Sequence, residues 1–353
     1  MLWKTPLRGL GTSSPVVWRD HIFLTFQIGQ GPFEQGGRDF QNSRVSTKTG
    51  NEGDKVYFVV EALRRSNGRL LWEYQLEADG ELTPVHRKHN LASPSCVTDG
   101  DRIYAWFGTG QLVALDLEGK LLWKRHLGKE YSPFEIRWGH GSSPVLYKDY
   151  LILLCDHLPA SYLLALDKHT GEERWKVDRG SRLRSYATPL IITAEKGDEL
   201  IINSNRRLDA YDPSSGELLW HAGKPNKVPV PMPVYHDGVL YASRGYSSGP
   251  YMAIRTGGRG DVSKTHILWR VATGAPYVSS LLYYRGLVYM ANERGIVTCV
   301  DAKTGEMIWR QRMGGVFTAS PVAADGKIYL LNEAGQTVVL QAGHAPQARQ
   351  PFH

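Results

Sequence analysis

The sequence predicts an all-β fold of repeated four-stranded antiparallel units, and three observations carry the prediction. Trp72, Trp123, Trp175, Trp220, Trp269 and Trp309 each follow a polar turn and a short apolar run, while Trp3 stands alone at the start. The intervals from Trp72 onward, 51, 52, 45, 49 and 40 residues, have the length of one propeller blade. Each repeat also opens on a small-residue or proline step ahead of an apolar strand, and in the better copies a polar turn and a second strand follow. The expected architecture is therefore a β-propeller.

Taken in order, the first copy opens at Ser14-Pro15, carries a glycine-rich insertion from Gln27 to Asp54, and reaches Trp72 through Ser66-Asn67-Gly68, with Arg64 where later copies have Asp. The second opens at Ser93-Pro94, turns at Thr98-Asp99-Gly100-Asp101 into Ile103-Tyr104-Ala105-Trp106, and reaches Trp123 after Asp116-Leu117-Glu118-Gly119. The third opens at Ser143-Pro144 and holds the clearest turn, Asp167-Lys168-His169-Thr170-Gly171, ahead of Trp175. A short polar side chain can bond the backbone of such a turn, and Gly accepts positive φ. The fourth runs from Thr188-Pro189 through Asp212 and Ser215-Gly216 to Trp220, and the fifth from Met232-Pro233 to Trp269. The fifth is interrupted by Arg255-Thr256-Gly257-Gly258-Arg259-Gly260-Asp261, which has a phosphate loop's glycines but neither its following helix nor its Gly-Lys-Ser/Thr ending, so a hairpin elaboration is expected. The sixth runs from Ser279-Ser280 through Asp301-Ala302-Lys303-Thr304-Gly305 to Trp309. The repeat tryptophan is expected to wedge between neighbouring blades with its indole N–H paired, and Trp123, Trp175, Trp220 and Trp309 are expected to be structural equivalents, all buried between blades and far from the channel.

The seventh copy opens at Ser320-Pro321, with strands around Val316–Val322, Lys327–Asn332 and Thr337–Gln341, and lacks a turn-plus-Trp. The missing outer strand is then Leu2-Trp3-Lys4-Thr5-Pro6-Leu7, which would latch the last blade and remove exposed edges. The expectation is a seven-bladed propeller of four-stranded antiparallel blades closed by the N-terminal strand. It forms one domain over residues 1–343, with 344–353 as a tail. The alternative is an eight-bladed ring lacking one blade.

The turn-plus-Trp repeat resembles the PQQ-like (quinoprotein-type) β-propeller family, shared by quinoprotein dehydrogenases and by the lipoprotein scaffold of the outer-membrane barrel assembly machinery. The resemblance spans about residues 1–343. Segments such as His86-Arg87-Lys88-His89-Asn90-Leu91-Ala92-Ser93-Pro94 and Ala253 to Val262 look most like bacterial PQQ-binding-like propeller proteins. That family includes both enzymes and binding scaffolds, so the resemblance implies a fold before an activity. It also implies a periplasmic or extracytoplasmic place; no signal peptide is read at the N-terminus, which leaves a cytoplasmic alternative.

The 353 residues carry a net charge of +7 without any Lys/Arg run, which gives nucleic-acid binding no motif. No apolar stretch is long enough to span a bilayer. Cys96, Cys155 and Cys299 fall in separate repeats without a CxxC, so structural thiols are expected rather than a disulfide or a zinc site.

In a propeller the segments before the innermost strands form a funnel, and three of them are polar and aromatic: His86 to Asn90, Arg137-Trp138-Gly139-His140 and Arg182 to Tyr186. His86, His89, Arg137, Trp138, His140, Arg184, Tyr186 and Tyr277 are the expected binding residues, with Phe317 opening a later blade. Converging Arg and His groups would favour an anionic or polyhydroxylated ligand, because Arg binds a carboxylate bidentately and aromatic rings stack. The plainer reading is loop residues solvated in a wet channel. His89 and His140 have no carboxylate at ligand spacing, so no metal is expected. Asp156-His157 has no neighbouring nucleophile motif, so no catalytic residue is assigned. PQQ with calcium is disfavoured: the chain has no vicinal cysteines, and among the binding segments only Glu135 offers a nearby carboxylate. The expected function is thus a monomeric, non-catalytic binding or assembly scaffold that meets a protein partner or a small polar or anionic ligand. The alternative is a quinone-dependent or carbohydrate-acting enzyme.

Overall fold

The structure, a computed structural model, describes residues 2–31, 55–80, 82–86, 88–181, 183–227, 229–246, 248–343, 345 and 347–352. The insertion expected at 27–54 lies outside the described residues from residue 32 onward. The chain divides into two compact units, one running to Leu183 and the other beginning at Arg184.

In the first unit, three antiparallel sheets follow the chain. They are β1 (Val16–Trp18), β2 (His21–Ile28), β3 (Tyr57–Arg64) and β4 (Leu70–Glu77); then β5 (Val97–Thr98), β6 (Arg102–Trp106), β7 (Gln111–Asp116) and β8 (Leu121–His126); then, after the single turn α1 (Leu127–Glu130), β9 (Val145–Tyr147), β10 (Tyr150–Cys155), β11 (Ser161–Asp167) and β12 (Glu173–Gly180). The second unit continues the series. It holds β13 (Leu190–Ala194), β14 (Gly197–Asn203), β15 (Leu208–Tyr211) and β16 (Leu218–Ala222), then β17 (Val234–His236), β18 (Val239–Ser243), β19 (Tyr251–Arg255), β20 (Gly260–Asp261) and β21 (Ile267–Val271). β22 (Leu282–Tyr284), β23 (Leu287–Ala291), β24 (Ile296–Asp301) and β25 (Met307–Arg312) follow, and β26 (Val322–Ala324), β27 (Lys327–Leu331), β28 (Thr337–Gln341) and β29 (Gln347–Phe352) end the chain. Every sheet is a four-stranded antiparallel meander except that of β13 to β16, which gains β20 as a parallel fifth strand.

The burial pattern explains the composition of each strand. β11 reads Ser-Tyr-Leu-Leu-Ala-Leu-Asp and is buried throughout, as a strand covered on both faces must be, whereas the outer strand β21 alternates half-buried and exposed positions. The turns between third and fourth strands close as their residues predict. Asp167 Oδ1 accepts the N–H groups of His169 (2.7 Å) and Thr170 (2.9 Å), Asp301 Oδ1 those of Lys303 (2.8 Å) and Thr304 (2.9 Å), and Gly171 and Gly305 take φ of +77° and +75°.

Opposite each outer-strand tryptophan stands a small residue. Ala62 faces Trp72, Ala114 faces Trp123, Ala165 faces Trp175, Ala210 faces Trp220, Ala253 faces Trp269 and Cys299 faces Trp309, and in every case the register slips at the next residue of the third strand. A bulge at that point turns the outer strand, and the small partner leaves room for the ring. Four indoles then reach the following sheet: Trp72 Nε1 donates to Leu117 O (2.7 Å), Trp123 to Lys168 O (3.1 Å), Trp269 to Ala302 O (3.0 Å) and Trp309 to Gly343 O (3.0 Å). The first three rings lie against Gly119, Gly171 and Gly305. Trp72, Trp123, Trp175 and Trp269 are only half-buried, and Trp220, fully buried, bonds a carboxylate instead of a carbonyl. The tryptophans are therefore not all equivalent.

Three further expectations change. The outer strand of the last sheet is β29, antiparallel to β28, so the C-terminal residues expected as a tail supply it and the N-terminal segment does not. Trp3 instead lies against Gly68 and donates to Arg65 O at 2.9 Å, the same relation that later tryptophans have to later turns. The 255–261 insertion does not close into a plain hairpin, because its Gly260 and Asp261 pair in parallel with Trp220 and His221. The second repeat is also offset by two residues: Ser95, not Ser93, is the counterpart of Ser14 and Ser143, each standing two residues before the first strand. Ser14 N–H donates to Ser95 Oγ (2.8 Å) and Ser95 N–H to Ser143 Oγ (2.9 Å); in the second unit Met232 N–H donates to Ser280 Oγ (3.0 Å) and Ser280 N–H to Ser320 Oγ (3.0 Å).

Candidate functional site

In the first unit, the segments leading into β5 and β9 are laid side by side by backbone pairing. Val85 and Trp138 form a parallel bridge, and His86 N–H donates to Trp138 O at 3.3 Å. This brings the segments of His86, His89, Arg137, Trp138 and His140 side by side, but their side chains point to different surroundings. Arg137 is exposed and its guanidinium sits 5.0 Å from the Trp138 ring centre. Trp138 has φ of +76°, a conformation that a bulky residue holds only where its surroundings impose it. His89 is half-buried with Nδ1 3.1 Å from Ser93 Oγ, and desolvation lowers its pKa to about 4.

His140 faces the interior. It is buried, donates from Nε2 to Ser142 O at 3.1 Å, and meets Trp106 and Phe134 edge-on at 4.4 and 5.4 Å. Desolvation lowers its pKa to about 3, so it stands neutral with Nδ1 as an acceptor. His157, also buried, lies 4.2 Å from Phe134, bonds Leu158 O through Nδ1, and has its pKa lowered by desolvation. Beside it, Asp156 and Arg179 form a fully buried ion pair with contacts of 2.7 and 3.1 Å. Sequence reasoning missed this pair, because Asp156 follows β10 and Arg179 lies on β12, with a whole strand between them.

In the second unit Arg184 is half-buried, and Tyr186 and Tyr277 are buried. Arg184 exchanges backbone and side-chain bonds with Asn205, its N–H donating to Asn205 Oδ1 at 3.0 Å. Tyr277 meets the exposed Tyr246 edge-on at 5.1 Å, and desolvation pushes its phenol up to about 12. Arg244, another residue the sequence did not single out, is fully buried; its guanidinium donates to Asn203 Oδ1 and Lys224 O, and desolvation pulls its pKa down to about 10. The three cysteines are free and buried, and desolvation raises Cys96 and Cys299 to about 12. Among the described residues, no helix is long and apolar enough to cross a membrane.

The sequence matches the profile of the family described as outer membrane protein assembly factor BamB over residues 1–130, 56–267 and 258–346, which together span nearly the whole chain. The chain belongs to that family. It is the PQQ-like propeller family to which the tryptophan repeat pointed. Among BamB-like relatives, the outer membrane protein assembly factor BamB of Moranella endobia is 24% identical over 293 residues, 76% of this chain and 67% of that one. Tetrathionate hydrolase of Acidithiobacillus ferrooxidans is 25% identical over 328 residues, 87% of this chain but only 59% of its own length. The chain thus spans about three fifths of that relative. The crystal structure of BamB from Moraxella catarrhalis shares the fold with a TM-score of 0.62 at 15% identity, covering 98% of this chain and 87% of the other. A europium-containing methanol dehydrogenase does so at 0.58 and 12%, covering 92% and 72%.

Proposed function

We propose that this BamB-like chain is a non-catalytic assembly scaffold, built as a single seven-bladed propeller, that holds a protein partner on the loops leading into its first strands. The observation that carries the reading is what the chemistry-bearing residues do: His140 and His157 are packed on Phe134 with one ring nitrogen bonded to backbone, and Asp156 is closed by Arg179. These groups are spent on holding loops in place. What remains at the surface is Arg137 stacked on Trp138, a pairing of charge and flat apolar area of the kind that anchors protein contacts. The family's description as an assembly factor supports the same reading.

The test is co-purification of a partner from the chain's own cells, compared with an Arg137→Ala/Trp138→Ala variant. The scaffold reading expects the partner to be lost while the melting temperature changes little. A second reading, an enzyme, is favoured by the match to tetrathionate hydrolase. Turnover of tetrathionate, or a quinone absorbance that stays with the protein on desalting after addition of PQQ and calcium, would replace the scaffold reading with that one.

A further inference from the structure

We propose that the loops after β14, β16 and β18, together with Arg184, form a docking surface for an acidic stretch of a partner protein. The inference rests on the scaffold reading and assigns the chemistry of what is held.

Asparagine side chains bind these loops to one another. Arg184 and Asn205 exchange hydrogen bonds, Asn226 N–H donates to Asn205 O at 2.8 Å, and Asn226 Nδ2 donates to Arg244 O. Arg244 is the buried core of the arrangement, donating to Asn203 Oδ1 and to Lys224 O at 3.2 Å. Asn203 Nδ2 in turn holds Pro231 O (3.0 Å) and Ser243 O (2.9 Å). The loops are thus fixed before any partner arrives, which lowers the ordering cost of binding.

The charge on this fixed surface is one-sided. Residues 203–209, 223–227 and 244–250 carry Arg206, Arg207, Lys224, Lys227 and Arg244, and their one carboxylate, Asp209, is buried and taken by Arg207 Nε at 2.6 Å. Arg206, Lys224 and Lys227 are exposed, and with Arg184 they make no ion pair among the described residues. Cations left open at the surface raise the local potential and favour an anionic partner.

The arrangement fits a polypeptide better than other polyanions. The cations are spread over three short loops rather than along a stripe that could follow a nucleic-acid backbone. A membrane surface would call for apolar side chains beside the cations, and Tyr246 is the one large exposed ring these loops carry. An extended acidic segment offers carboxylates to Arg206 and Arg184, which bind them bidentately, and main-chain groups to the asparagine amides.

The experiment uses the whole chain and a short fluorescein-labelled peptide rich in glutamate, read by anisotropy, with a single-stranded oligonucleotide and phosphatidylglycerol vesicles as parallel probes. The peptide should bind, and should weaken as salt rises from about 50 to about 300 mM. The triple variant Arg206→Gln/Lys224→Gln/Lys227→Gln should lose about tenfold or more in affinity, and the corresponding triple Glu variant more still, with melting temperatures near wild type. Absence of peptide binding at low salt, unchanged affinity in a folded triple variant, or tighter binding of the oligonucleotide or the vesicles would overturn the proposal. If the triple variant retains a co-purified partner that Arg137→Ala/Trp138→Ala loses, the docking surface fails while the scaffold reading stands.

Discussion

Trp220 donates its indole N–H to Glu199 Oε2 at 2.9 Å, and Glu199 Oε1 accepts the N–H of Gly257 at 3.0 Å. One buried carboxylate thereby joins β14, β16 and the 255–261 insertion, and it is acceptor-only where it meets two donors. Glu199→Gln keeps the shape but places an amide NH₂ against one of those N–H groups. The variant should lose about 1–3 kcal/mol, read from urea unfolding; stability equal to wild type would show that the two bonds do not hold the insertion.

A matched pair of glycines separates backbone strain from steric contact. Gly286 has φ of +79° and open space where a Cβ would stand, whereas Gly119 has φ of +85° and the Trp72 ring 2.6 Å from that position. Gly286→Ala should cost about 1 kcal/mol through its dihedral alone. Gly119→Ala should cost about 1–3 kcal/mol more, because the ring must shift, and tryptophan fluorescence should change only in the second variant.

Acid should destabilise the first unit. Burial lowers His89 to about 4 and His140 to about 3, while in the unfolded chain each titrates near its ordinary value of about 6.5. Below that value the unfolded state binds more protons, so the contribution present above about pH 6.5 is lost progressively as pH falls toward the folded values, at up to about 1.4 kcal/mol per pH unit for each group. Melting temperatures measured between pH 7 and pH 4 should fall, and His140→Gln should flatten the profile.

Breaking the Asp156–Arg179 pair should be among the most damaging single changes. Arg179→Met leaves a buried carboxylate without its counter-charge, at a cost of about 3–5 kcal/mol. Asp156→Asn added to Arg179→Met should restore part of the loss in thermal unfolding. A double variant no more stable than the single one would mean that packing, not charge, sets the penalty.

Much of the fold was legible because turn chemistry and tryptophan spacing are local. Asp167 to Gly171 announces its turn from five consecutive residues, and the turns at Asp116, Asp212 and Asp301 repeat that logic. What the sequence concealed depends on partners far away along the chain. Nothing near Ala62, Ala114 or Cys299 says that a tryptophan will face it, and the offset of Ser95 is disguised by the Ser93-Pro94 pair that imitates its neighbours. The outer strand of the last sheet is hidden for a related reason: Gln347 to Phe352 holds neither a turn signal nor a tryptophan, while Trp3 has the signature of an outer strand. At the candidate site, residue type showed where polar groups gather but not which way they face. His140 and Arg137 are three residues apart, yet one is sealed against Trp106 and the other is open to solvent.

Four serine-step bonds and four indole bonds run from one sheet to the one after it, among them Ser14 to Ser95 to Ser143, and Trp72 to Leu117, Trp123 to Lys168. A repeat built this way has a donating side and an accepting side, like a tile with one tongue and one groove. Copying a repeat that carries both bonds, such as that of Trp72 or Trp123, in tandem would leave its joints satisfied, since the new copy both offers and receives the same two bonds. The number of such repeats can change by duplication at little thermodynamic penalty within the array, and the chemistry of a given repeat is free to diverge on its loops while the joint residues stay in place.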